Sequence, residues 1–256
     1  FGGKLTNYVA IPAVLLAQKS GRPVKMSMDR TETLLATGPA PAARIRARLG
    51  ATKDGRLTAA HLEMHYEAGA FPGSSVGGGA NCGLAPYRLE NFRVDGYDVV
   101  VNKPKSQAYR APGAPQAAFA VESVMDELSD DLGLDPVEFR LRNASAEGDI
   151  RPNGTRFNHV GNIDQMRAAQ SSQHWQAPLP KSTGRLVGRG VACGYWGNGG
   201  GTSSAVARLN RDGSVTLLES SPDIGGTRTS IAMQLAETLG IDVSQVHPRV
   251  PDTDSI

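Results

Sequence analysis

Two short segments carry the residue types from which a site for an anionic or oxo-bearing group can be built. The first, Ala108-Tyr109-Arg110-Ala111-Pro112-Gly113-Ala114-Pro115-Gln116, is an extended stretch running into a long apolar-periodic region. Pro112 and Pro115 remove backbone donors and stiffen the chain. The amides left near Arg110 and Gly113 face a helix N-terminus, where unpaired N–H groups and the helix dipole favour negative charge. The same residues also read as a plain helix entry with an exposed arginine, and on physics alone the two readings weigh equally. The second segment, Asp223-Ile224-Gly225-Gly226-Thr227-Arg228-Thr229-Ser230, repeats the order of strand, glycine turn, hydroxyl groups and helix. Two loops of this build in one chain point to a polyanionic or oxo-bearing cofactor held between domains.

Other motifs lead elsewhere or nowhere. Phe1-Gly2-Gly3-Lys4-Leu5 has the glycines and lysine of a phosphate loop but Leu5 where magnesium needs Ser or Thr, which disfavours a nucleotide triphosphatase. Neither Gly73 to Gly79 nor Gly197 to Gly201 fits the dinucleotide fingerprint between strand and helix. His61 and His65 imitate a zinc-protease signature, yet Glu63 falls at the third position and the segment alternates as a strand, so an ordinary structural role is expected. The two cysteines, Cys82 and Cys193, form no CxxC and argue against an intrinsic iron–sulfur or structural zinc site.

These loops need elements to hold them. At 39% hydrophobic and 20% charged content, 256 residues suffice to bury a substantial core. The net charge of +2, with no basic cluster interleaved with aromatics, argues against a nucleic-acid partner. No stretch reaches the roughly 18 apolar residues of a membrane span. Periodicity predicts a helix over Asn7 to Lys19, capped by Asn7 and stopped at Gly21, then a short strand over Pro23 to Met28. Arg44 to Thr52 and Arg56 to Ala70 flank Asp54-Gly55 as a β-hairpin, with Thr58, Ala60, Leu62, Met64, Tyr66 and Ala68 on one face. Gly73 to Gly79 reads as a loop and Phe92 to Val101 as a strand. Phe119, Val121, Val124, Met125, Leu128 and Leu132 mark a long helix ended by Gly133, and Asp135-Pro136 opens a second helix to Asn143.

Ser171 to Arg185 is the best linker candidate, although Trp175 could tie it to a core; it sets a junction between 178 and 179. Beyond it come a hairpin, Ser203 to Asn210 with Ser214 to Ser220, and a helix from about Arg228 to Leu239. The result is an α+β chain of mixed sheets and packed helices with no internal repeat at a fixed period. Its ends read as those of an internal segment of a longer protein.

In its ordered motifs the sequence resembles the molybdopterin-binding subunit of the molybdenum hydroxylases, the family of xanthine dehydrogenase, aldehyde oxidase and aerobic carbon monoxide dehydrogenase. The resemblance rests on Phe1-Gly2-Gly3-Lys4, on Ala108 to Gln116 continuing through Glu122-Ser123-Val124-Met125-Asp126-Glu127, on Leu132-Gly133-Leu134-Asp135-Pro136 with Arg140-Leu141-Arg142-Asn143, and on Asp212-Gly213-Ser214-Val215 followed by the Gly225 loop. It implies parts of two molybdopterin-binding domains, 1–178 and 179–256, around a pterin cleft. Phe1 and Gly2 would form the first cofactor loop, Arg110 the second, and Gly225, Gly226 and Thr227 a third, with Gly226 standing where many members carry glutamine. None would ligate the metal, which the pterin dithiolene holds.

The resemblance further implies a molybdenum–molybdopterin cofactor, in the cytosine dinucleotide form, with [2Fe-2S] and FAD on separate iron–sulfur and flavin subunits in a cytoplasmic dimer of heterotrimers. The family reaction is hydroxylation with water as oxygen source. Its glutamate base belongs to a later segment, so no catalytic residue is expected within these 256 positions and the fragment alone should be inactive. Leu5, Gly78 and Pro112 stand where the purine enzymes place a glutamate, an arginine and an aromatic residue. A purine would lose its polar partners there, which favours an aldehyde or apolar N-heterocycle as substrate. The competing expectation is a non-catalytic scaffold or assembly piece of such a complex.

Overall fold

The computed structural model describes residues 8–179, 184, 186–197, 199, 201–221 and 224–251. The chain divides into two compact units, Phe1–Gly197 and Asn198–Ile256.

The first unit is built on a three-stranded sheet in the order β1-β2-β3, with β1 Ala43–Ala51, β2 Leu57–Gly69 and β3 Asn91–Val100. The predicted hairpin is present: β1 and β2 pair antiparallel about a turn in which Gly55 takes φ 83°. Alternation fixes its faces, since Leu62, Met64, Tyr66 and Ala68 are fully buried while residues between them reach solvent. β3 lies parallel to β2, which demands a crossover. That crossover contains helix α3, Val76–Cys82, where a loop was expected. Three glycines cost a helix about 1 kcal/mol each, but here their missing side chains let α3 seat its backbone directly on a neighbouring loop. β1 is an edge strand and carries Arg44, Arg46 and Arg48 on its exposed positions.

Helix α4, Ala114–Leu132, packs on β1 and α3 through Ala117, Val121 and Met125, spaced by one turn. Phe119 is not part of that stripe: two residues from Ala117, it points away from it and is 79% exposed. Helix α5, Pro136–Arg142, begins as predicted with Asp135 accepting from the amides of Val137 and Glu138. Asn143 then ties α5 to the hairpin turn, its amide donating to Gly55 O and its oxygen accepting from Leu57 N, each at 2.8 Å.

Elsewhere in this unit, α1 spans Ala10–Ser20 and ends at Gly21 in the left-handed region. Its N-cap is Val9, without a side-chain cap, and Asn7 lies outside the described residues. Pro23 to Met28 forms no strand, because no partner strand lies beside it among the described residues; α2, Arg30–Ala36, follows instead, started by a capping box at Asp29 and Glu32. Within the linker candidate, α6, Asn162–Ser171, ends and α7, Gln173–Gln176, carries Trp175 against the Arg189 guanidinium.

The second unit repeats the plan on a smaller scale. Strands β4 Val206–Leu209 and β5 Val215–Leu218 form the expected hairpin, helix α8 Thr227–Leu239 crosses over, and β6 Val246–Arg249 pairs parallel with β5 after a 3₁₀ turn at Val243–Gln245. Leu217, Ala232, Ala236 and Val246 make its core.

Candidate functional site

The Arg110 loop is held in a strained conformation. Ala111 is the one non-glycine described residue with positive φ, at 53°, and it precedes Pro112, where an L-residue favours extended backbone. Such a conformation costs about 1–3 kcal/mol and persists only where its surroundings over-determine it. They do so here. The Tyr66 hydroxyl, fully buried at the centre of the sheet, donates to Gly113 O at 2.8 Å. A Cβ on Gly78 would lie 2.1 Å from Pro112 O, one on Gly79 2.7 Å from the Tyr66 oxygen, and one on Gly113 2.1 Å from Ser75 O. The structure therefore brings Gly78 and Pro112 together through backbone contact. Burial pushes the Tyr66 phenol up to about 12, with the Ala117 amide opposing.

Above this support Arg110 is exposed, and among the described residues its side chain has no ion pair. Two cavities flank the loop. One, of about 330 Å³, has small residues (Ala111, Ala114, Ala118, Cys82) facing Tyr195 and Trp196. The other, of about 450 Å³, is lined by Phe71, Ser74, Ser75, Lys105 and Gln107. The Ser75 hydroxyl is buried without a hydrogen-bond partner. A groove of about 960 Å³ between β1 and α4 is lined by Pro115 and Gln116 at the end of the first segment but not by Arg110, Pro112 or Gly78.

The aromatic wall is anchored by a buried network that sequence reasoning missed. Glu122 on α4 accepts from Arg140 Nε at 2.8 Å, from the Tyr87 hydroxyl at 2.5 Å and from the Cys193 amide at 2.9 Å, fixing the strand-like segment that leads to Tyr195 and Trp196. Arg140 is fully buried and also reaches Asp126 at 2.7 Å. Burial raises Tyr87 well above its usual range and brings the Cys193 thiol to about 11; Cys82 moves upward for the same reason. Neither cysteine is a ready thiolate ligand.

In the second unit, Gly225 at φ 99° and Gly226 at φ 90° open α8 in two successive left-handed steps. A glutamine at Gly226 would be strained by that backbone. Thr227 Oγ1 accepts from Ile224 N at 3.4 Å. Close by, Glu219 and Arg228 approach to 4.0 Å, and Glu219 Oε1 and Arg228 Nε are both buried without a hydrogen bond. Phe1, Gly2 and Leu5 lie outside the described residues.

The His61 and His65 pair has the structural role expected of it. His61 meets Asp95 at 2.8 Å, and His65 meets Glu63 at 3.1 Å while stacking on Tyr97. Among the described residues no three His, Cys, Asp or Glu side chains converge as a metal site.

The model of the molybdopterin cofactor-binding domain matches residues 1–144, and a second model of the same description matches residues 162–256. The chain belongs to the molybdopterin-binding subunits of the molybdenum hydroxylases. It is 34% identical over 257 residues to the xanthine dehydrogenase molybdenum-binding subunit of Escherichia coli O157:H7, covering 94% of this chain and 34% of that protein. It is 32% identical over 260 residues to the aldehyde oxidoreductase molybdenum-binding subunit PaoC of the same organism, covering 99% and 35%. Among solved structures, aldehyde oxidoreductase from Desulfovibrio gigas aligns with a TM-score of 0.71 and 27% identity over all of this chain and 30% of that one. The chain thus spans about a third of the length of these relatives. An α+β architecture carrying two molybdopterin-binding domains, as the resemblance implied, is what the fold shows.

A molybdenum hydroxylase chain must hold the pterin by hydrogen bonds and shape, and the residues present fit that demand. In the first unit, the Arg110 guanidinium and the buried Ser75 hydroxyl, neither with a partner among the described residues, are donors for an anionic, heteroatom-rich group.

Proposed function

We propose that this chain supplies cofactor loops to an enzyme that oxidises an aldehyde or an apolar N-heterocycle with water as the source of oxygen. The observation that supports it most is Arg110, solvent-facing and without an ion pair among the described residues, on a strained, braced loop. When bound, the molybdenum–molybdopterin group supplies the two-electron acceptor chemistry that these side chains lack. Arg110 holds it by charge-assisted hydrogen bonds, Gly225, Gly226 and Thr227 by the α8 turn, and Phe1 and Gly2 by the remaining loop. Leu5, Gly78 and Pro112 leave the substrate side without polar partners. No residue of the chain is assigned proton abstraction. In this reading the second cofactor-binding domain begins at 179, and its first residues, up to 197, pack with the first compact unit.

Electrons leave, in this reading, through [2Fe-2S] and FAD groups on iron–sulfur and flavin subunits of a cytoplasmic dimer of heterotrimers, with the cofactor in its cytosine dinucleotide form. The names of the relatives support the division, since both are molybdenum-binding subunits. Those names divide between xanthine and aldehyde and do not choose the substrate. Molybdenum and pterin analysis of the native complex, followed by steady-state assays, tests the proposal. Both components are expected, with kcat/KM for an aldehyde or apolar heterocycle at least about tenfold above xanthine, or roughly 1.4 kcal/mol of transition-state binding. A folded complex with neither component points to a scaffold, and preferred turnover of xanthine overturns the substrate class. Arg110→Ala should lose molybdenum, whereas Arg44→Ala, exposed on β1, should not.

A further inference from the structure

The strained loop does not hold itself. Its own residues contribute a turn bond, from Ala114 N to Ala111 O at 3.0 Å, and two prolines that cannot donate. What resists relaxation of Ala111 comes from an element 47 residues away in sequence: the Tyr66 hydroxyl on Gly113 O. Tyr66 lies in the central strand, paired on both sides, so its oxygen is a fixed reference point. Beside the Tyr66 hydroxyl, α3 presses its bare glycine backbone on Pro112 and Gly113, leaving the loop little room to shift.

We propose that Tyr66 is a positioning residue for the cofactor loop: its hydroxyl, working against the glycine face of α3, keeps Ala111 left-handed and so presents Arg110 preorganised to the cofactor. This rests on the reading that Arg110 meets the cofactor. A tyrosine that merely fills the core also needs a partner for its hydroxyl. The two roles differ in one respect. If Tyr66 acts by sustaining the backbone of residue 111, then a residue that adopts positive φ without strain should make its hydroxyl dispensable; if it fills the core, changing residue 111 should make no difference.

The test uses the complete multisubunit complex. Tyr66→Phe keeps the ring and removes the bond. It is expected to speed exchange of the Ala111, Gly113 and Ala114 amides about tenfold and molybdenum loss on dialysis by a similar factor. Adding Ala111→Gly to Tyr66→Phe should bring molybdenum retention back to within about twofold of the parent. Parent-like exchange in Tyr66→Phe, or no recovery in the double variant, overturns the positioning role. Arg110→Ala separates this from the reading beneath it: unchanged molybdenum retention there overturns the cofactor contact of the loop, whereas parent-like exchange in Tyr66→Phe overturns the clamp alone.

Discussion

At the scale of single residues, burial has turned two phenols into acids that resist ionisation. Tyr66 titrates near 12, and Tyr87, desolvated and beside the Glu122 carboxylate, is raised well above its usual value. In the unfolded chain a tyrosine ionises near pH 10. Between about pH 10 and 12 the unfolded state therefore binds fewer protons than the folded one, and stability must fall as pH rises through that window, being fully present below it. Melting temperatures measured from pH 9 to 12 should decline less steeply for Tyr66→Phe than for the parent; parallel curves would show that the phenol ionises in both states alike. The inward face of Tyr66 was legible from alternation along Thr58 to Ala68. Its partner was not, because nothing local in sequence links residue 66 to the carbonyl of residue 113. Ser75 and Glu122 escaped for the same reason: an orphaned hydroxyl and a buried carboxylate are defined by distant neighbours.

At the scale of elements, what was legible is what local pattern determines. Both hairpins, the long helix ended by Gly133, and the Asp135-Pro136 start of α5 were all written in turn residues, period and caps. The glycine cluster misled because helix propensity argues against three successive glycines, while the packing that overrides propensity there is tertiary. Strand β6 has four residues and no alternation long enough to register. The joint between α5 and the first hairpin shows how such elements are fastened. Asn143 is only 3% exposed and satisfies Leu57 N, Gly55 O and Phe139 O at once. Asn143→Ala should cost about 2–4 kcal/mol, since it strands buried backbone groups, and urea unfolding should show it. Arg142 also donates to Asp54 O across the same joint, in addition to Glu138 at 3.4 Å.

At the scale of the whole molecule, each unit is an antiparallel hairpin followed by a helical crossover to a third, parallel strand. By that plan the Gly225 turn corresponds to the Gly73–Ser75 turn before α3, not to the Arg110 loop that its residue order imitates. The division at 197/198 places residues 189–196 with the first unit, where Arg189 donates to Trp175 O and Ala177 O, Cys193 N meets Glu122, and Tyr195 sits edge-on to Phe157. A piece ending at 197 should accordingly resist urea better than one ending at 178. Equal midpoints would favour the earlier boundary.

The arginines of β1 have a consequence for how this chain survives its own synthesis. Until residues 91–100 emerge from the ribosome, the first hairpin has no third strand, and the unpaired backbone groups along β2 are a template waiting for any extended neighbour. If two nascent hairpins met edge to edge along β1, Arg44, Arg46 and Arg48 would be set against the same cations on the other copy. Like charges along the β1 edge repel such pairing, so while β2 waits for β3 the hairpin offers no second edge on which an aggregate can grow.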